Sequence, residues 1–225
     1  MNIMQLFRNT VGRKIIVAIS GQMMVLFVIA HLLGNSSIFI PGGINAYAEH
    51  LHALPPLVWA ARAVMLAMLL LHIYFAILIT LENRAAKPVA YAVNNKIKAS
   101  FASENMIWTG VLLGVFIIGH ILHFTARVTP DIAPRLSSLS GGAVFDVYSM
   151  VVGSFQHGVI ALIYVVAMVV LFLHLFHGIQ AFFQTMGWNN DCAMPAFAKW
   201  GKVISVIFLI GYSSIPAFIF FRVLT

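Results

Sequence analysis

The chain has 225 residues, 61% of them hydrophobic and 8% charged, with a mean hydropathy of +0.97, which excludes a water-soluble globule. Thirteen basic against six acidic side chains give a net charge of +7, yet charged residues are too sparse for a phosphate-tracking patch, so nucleic acid is excluded as a partner. The single cysteine, Cys192, cannot close an intrachain disulfide, and the absence of C-x-x-C-H rules out covalent c-type haem.

A hydrocarbon core about 30 Å thick needs roughly 20 apolar residues as helix. Five stretches meet that length, and an all-α integral membrane protein of one domain is predicted, with helices I to V over 15–33, 57–81, 107–125, 157–183 and 203–221. The basic start before helix I also fits a cleaved signal peptide, but the apolar run is long for one and no small-x-small cleavage site follows, so retention is expected. Between helices I and II, Pro41-Gly42-Gly43 predicts a turn and residues 46–52 a short interfacial helix. Helix II carries Arg62, the only formally charged residue within the five spans, close enough to its end for the stem to reach the headgroups. The longest connection, 126–156, holds a small-residue turn at 137–142 and a second short helix at 145–152. The connections 82–106 and 184–202 hold most of the basic residues, and no internal repeat, low-complexity tract or soluble domain is read.

Lys and Arg concentrate in cytoplasmic loops, and this sets direction. With the N-terminus inside, Arg8, Arg13, Lys14, Arg84, Lys87, Lys96, Lys98, Lys199 and Lys202 fall inside, against Arg62, Arg127, Arg135 and Arg222 outside. Nine against four predicts N-in and C-out.

Ionisable groups within a membrane are costly, so the histidines are the candidate functional residues. At about 1.5 Å per residue, His31 on helix I and His120 on helix III come out in the outer half, while His72 on helix II and His174 on helix IV come out in the inner half. Two pairs at matched depth on separate helices are the pattern that two stacked b-type haems need, each iron held by two imidazoles and the porphyrin by apolar walls. Helices I to IV would then form the haem-binding bundle. His123 and His177 stand three residues after His120 and His174 on nearly the same faces, so either member of each pair suits an iron. Arg62 and Arg127 outside, with Arg13, Lys14 and Arg84 inside, are placed to meet propionates or simply to fix topology. Gly21, Gly34, Gly110, Gly114, Gly119 and Gly178 supply room for a flat macrocycle or for tight helix packing.

Taken together, Phe27-Val28-Ile29-Ala30-His31-Leu32-Leu33-Gly34-Asn35, Asn45-Ala46-Tyr47-Ala48-Glu49-His50-Leu51-His52-Ala53-Leu54-Pro55, Leu69-Leu70-Leu71-His72-Ile73-Tyr74, Ile117-Ile118-Gly119-His120 and the run from His174-Leu175-Phe176-His177-Gly178 to Gly187 carry a family likeness. The chain resembles the cytochrome b membrane-anchor subunit of succinate dehydrogenase and fumarate reductase, in its single-chain, five-helix, two-haem form. The resemblance spans nearly the whole chain. It implies that His31 and His120 hold the outer haem b, that His72 and His174 hold the inner one, and that His123 and His177 are haem neighbours. It further implies a flavoprotein subunit and an iron-sulfur subunit on the cytoplasmic side, a quinone near the outer surface, commonly menaquinone, and residence in a bacterial cytoplasmic (inner) membrane. Dicarboxylate chemistry would then lie on the partners, with this chain as the quinone-reactive subunit; whether the whole complex dimerises is left open.

Some two-haem members carry a buried glutamate close to the inner ligand on helix IV, whereas here Phe172 stands two residues before His174 and no Asp or Glu occurs between Asp146 and Asp191. Proton transfer by that route is therefore not expected. Quinone chemistry needs a proton-exchanging group at the membrane edge, for which Glu49 is the first candidate, with His50 and His52 beside it; a solvated surface helix is the plain alternative. Two other functions fit a histidine-bearing helical membrane protein: the cytochrome b subunit of a hydrogenase, formate dehydrogenase or nitrate reductase, and a haem-free transporter with a histidine proton relay.

Overall fold

The computed structural model describes residues 3–86, 89, 99–128, 136–137, 144–188 and 190–224. Lys87, Lys96, Lys98 and Arg135, which enter the charge bias, and positions 138–142 of the small-residue turn lie outside them. The described helices are α1 (Ile3–Arg8), α2 (Thr10–Ser36), α3 (Gly43–His52), α4 (Pro55–Ala85), α5 (Phe101–Glu104), α6 (Met106–His120), α7 (Val147–Phe155), α8 (Gly158–Thr185) and α9 (Ala193–Phe220). A 3-10 turn at Ser37–Phe39 extends α2, a π-helical turn at Ile121–Thr125 ends α6, and Leu136–Ser137 pairs with Val144–Phe145 in a minimal antiparallel ladder. Five helices, spanning Thr10–Phe39, Pro55–Ala85, Met106–Thr125, Gly158–Thr185 and Ala193–Phe220, are long and apolar enough to cross a membrane. The protein is an all-α, multi-pass membrane protein, and side chains such as Leu33, Leu66, Leu70 and Ile210 stand exposed where hydrocarbon is the solvent.

These helices overrun the apolar windows that predict them, because backbone hydrogen bonding does not stop where hydropathy falls. At the start of α2, Asn9 Oδ1 accepts the Gly12 N–H at 2.6 Å, a side-chain cap that starts the helix before residue 15. Pro55 and Pro56 open α4, where the missing N–H has no helical acceptor. The largest difference is α9, which begins at Ala193 rather than 203 and takes Lys199 and Lys202 out of the expected loop. Lys202 keeps its stem on the apolar surface, its Nζ 5.3 Å from the Phe176 ring centre. The two short connecting helices are both present, as α3 and α7.

The helix ends differ in kind. After α8, Gly187 takes φ +80° while Trp188 N–H reaches the Phe183 carbonyl and Gly187 N–H that of Gln184, a Schellman termination in the residue type best suited to it. After α9 the same pair of bonds forms around Arg222 at φ +58°, and Arg127 stands at φ +53° beyond the π turn. A left-handed arginine is strained, and a cationic residue type at a helix C-terminus suits the negative end of the dipole.

By packing, the chain divides into two compact units: residues 1–27, 63–111 and 173–205, and residues 28–62, 112–172 and 206–225. In the first, Arg13 pairs with Glu82 and donates from Nε to the Phe7 carbonyl at 2.8 Å, while Phe7 meets Phe75, so α1 is tied to α2 and α4. In the second, Ile38, Ile44, Val151, Val152, Phe155, Ile215 and Ile219 form an apolar core. There Asp146 caps α7 by accepting from Ser149 N–H at 3.0 Å and also accepts from Asn45 Nδ2 at 2.9 Å, while Asn45 Oδ1 takes the Tyr148 N–H at 2.9 Å. This reciprocal pair fastens α3 to α7.

Candidate functional site

In the first unit, α4 and α8 bring His72 and His174 together, with ring centres 6.3 Å apart and planes at 65°. His72 Nδ1–H donates to the Val17 carbonyl at 3.0 Å, and Ser20 Oγ lies 3.3 Å from the same nitrogen. Thr109 Oγ1 lies 3.1 Å from His174 Nδ1. Two of the six glycines prove to be seats for these rings: a Cβ at Gly21 would meet His72 Cε1 at 3.0 Å, and one at Gly110 would meet His174 Cε1 at 3.5 Å. The space above Gly178 is open. His177 is half-buried one turn along from His174, and no ring contact joins it to His72 among the described residues.

In the second unit, His31 on α2 and His120 on α6 stand 5.9 Å apart, planes at 86°. Phe116 lies parallel to His120, and Phe124 and Tyr164 meet it edge-on. Tyr164 Oη is 3.3 Å from His120 Nδ1 and 3.0 Å from Nδ1 of His123, which is buried on the π turn. The fifth helix enters the site as well: Tyr212 of α9 lies 6.2 Å from His31, ring to ring, and donates its hydroxyl to the Val28 carbonyl at 2.7 Å. The space above Gly114 and Gly119 is open, whereas the room beside Gly34 is filled by the Tyr47 ring of α3.

The fit to haem b is tested by those separations. With metal–nitrogen bonds of about 2 Å and imidazole nitrogens about 1 Å from the ring centre, two imidazoles on one iron stand about 6 Å apart, centre to centre. The values of 5.9 and 6.3 Å match, and aromatic rings flank the outer pair, as suits b-type haem. Among the described residues no three His, Cys, Asp or Glu side chains converge as a protein-only metal site.

The cationic candidates separate by surroundings. Arg62 is exposed and lies 5.1 Å from the Trp59 ring centre. Partial burial and then the charge of Arg62 hold the Arg127 guanidinium below its usual pKa. Arg13 is instead committed to Glu82 and a backbone carbonyl, and Lys14 and Arg84 stand in solvent. Glu49, His50 and His52 are all exposed on α3, and His52 Nδ1–H donates to the Ala48 carbonyl at 2.7 Å. The acid that lines a cleft on this unit is Asp146, with Asn45, Tyr148, Ile38, Phe39 and Leu224. Sequence reasoning passed over Ser20, Thr109, Tyr164 and Tyr212; a hydroxyl group inside an apolar span, needing a partner, was the available signal. The chain matches no family model, no curated protein and no solved structure, so the site is read from its own residues.

Proposed function

We propose that the chain is the dihaem cytochrome b anchor of a succinate dehydrogenase or fumarate reductase complex, carrying electrons between a quinone at the outer surface and an iron-sulfur subunit on the cytoplasmic side. The observation that supports it is the pairing of four histidines from separate helices at two bis-imidazole separations. Bound haem b supplies one-electron redox chemistry at each pair. The chain's own residues do the rest. His72 and His174 hold the inner group and His31 and His120 the outer one, while Phe116, Phe124 and Tyr212 keep water from the outer pair. Arg62 and Arg127 neutralise propionates, and ligation by His123 or His177 is not needed. Glu49, with His50 and His52, exchanges protons with the quinone, which in this class is menaquinone. Flavoprotein and iron-sulfur partners carry the dicarboxylate chemistry, and the chain lies in a bacterial inner membrane, N-in and C-out.

Purifying the tagged chain from its own membrane tests this directly. The expected result is a reduced α band of b-type haem, about two haems per chain, and copurification of a flavin-bearing and an iron-sulfur subunit. A haem-free protein would refute the proposal in favour of a transporter; haem with a hydrogenase, formate dehydrogenase or nitrate reductase partner would move it to that class.

A further inference from the structure

Two buried hydroxyls in the first unit share one arrangement. Ser20 is 1% exposed and Thr109 is 5% exposed, both inside apolar helices where an unpaired hydroxyl is costly. Ser20 Oγ donates back to its own helix, with the Ile16 carbonyl at 2.7 Å and that of Val17 at 3.1 Å; Thr109 Oγ1 does the same toward Asn105 and Met106, at 3.1 Å each. Each is followed by a glycine that seats the histidine ring of the next long helix, Gly21 under His72 and Gly110 under His174. Each hydroxyl also stands beside that ring's Nδ1. In both helices a histidine of the other pair follows the hydroxyl residue by eleven positions, Ser20 to His31 and Thr109 to His120. The motif [Ser/Thr]-Gly-x9-His therefore occurs twice, a repeat too short for self-comparison of the sequence but plain once the contacts are seen.

We propose that Ser20 and Thr109 are equivalent positioning residues for the histidine pair His72 and His174, fixing which ring nitrogen each presents to iron. The inference rests on the haem reading above. A hydroxyl whose proton is committed to a backbone carbonyl can only accept from its neighbour, so His174 Nδ1 carries the proton and gives it to Thr109, leaving Nε2 with a bare lone pair. The Val17 carbonyl imposes the same tautomer on His72, because a carbonyl never donates. An imidazole that donates from Nδ1 is also a stronger ligand base, which favours ferric over ferrous iron. The two supports are unequal: His72 has the Val17 carbonyl as well as Ser20, whereas Thr109 is the one hydrogen-bonding partner of His174 Nδ1 among the described residues.

The test is a redox titration of the membrane-bound complex with low-temperature EPR, in the parent and in Thr109→Val, Thr109→Ser and Ser20→Ala. The step and the EPR signal that disappear in His72→Ala identify the pair concerned. Thr109→Val is expected to move that step to higher potential and shift that signal while the other step stays, Thr109→Ser to restore both, and Ser20→Ala to give a smaller shift in the same direction. If Thr109→Val loses that haem altogether, the proposal stands when Thr109→Ser keeps it and is overturned when Thr109→Ser loses it too, since volume and not the hydroxyl would then be required. An unmoved step in Thr109→Val, or movement of the other step, also overturns it. A parent without a b-type spectrum would instead refute the function proposed above.

Discussion

Gly21 and Gly110 both seat a histidine, but at different clearances, and alanine at the two positions should therefore act differently. Alanine gains about 1 kcal/mol over glycine in a helix interior. At Gly110 the new methyl would stand 3.5 Å from His174 Cε1 and 4.0 Å from Nδ1, ordinary contact distances, so Gly110→Ala is expected to be neutral or stabilising by up to about 1 kcal/mol. At Gly21 it would stand 3.0 Å from His72 Cε1 and 3.3 Å from Nδ1, closer than carbon atoms pack. The ring cannot retreat freely, because its Nδ1 is held at 3.0 Å from the Val17 carbonyl. Overpacking of this kind costs about 1–3 kcal/mol, which removes the helix gain and leaves Gly21→Ala below Gly110→Ala by that amount. For a chain of this size that is a gap of roughly 2–12 °C in Tm. Melting both variants in one detergent, followed by far-ultraviolet circular dichroism and by haem absorbance, measures it. Equal melting temperatures, or Gly110→Ala the less stable, would refute the seating of His72 on Gly21.

Replacing His72 or His174 by Ala should remove one b-type haem and leave the other, and His31→Ala or His120→Ala should do the reverse, read from haem content and the reduced spectrum; loss of a haem in His123→Ala that His120→Ala retains would reverse the choice of ligand. A reporter at Asn94 should read as inside and one after Thr225 as outside, both positions lying beyond the described residues; an inside reading at Thr225 would overturn the assigned direction. Glu49→Gln should collapse quinone-linked turnover while dye-linked dicarboxylate activity and both haems persist; turnover within a few-fold of the parent would make Glu49 a solvated residue and pass the role to His50 or His52.

The five spans were legible because a bilayer demands about 20 apolar residues of each, and so were the four histidines, since charge-bearing groups stand out in such runs. Helix ends were not: Lys199 and Lys202 lower the local hydropathy without breaking α9, and Asn9 starts α2 through a cap that an apolar window does not register. Pairing by depth anticipated which rings meet, His31 with His120 and His72 with His174. What surrounds them was hidden, because it depends on rotation about each helix axis: Tyr212 brings the fifth helix to His31, and Tyr47 takes the space at Gly34 that the sequence offered to a macrocycle.

The hydroxyl of Tyr164 bears on the ambiguity between His120 and His123. It lies within reach of Nδ1 of both and, among the described residues, has no other acceptor. A buried phenol that kept its proton unshared would forfeit a hydrogen bond, so one of the two nitrogens receives it and the other donates. The two histidines are thereby forced into opposite tautomers: the one that donates from Nδ1 has a free lone pair on Nε2, and the one that accepts carries its second proton there. Only one of them can bind a metal through Nε2 at any moment, and the phenol is the toggle that decides between them. With His120, whose ring stands 5.9 Å from His31, as the Nδ1 donor, His123 is the histidine that carries its proton on Nε2.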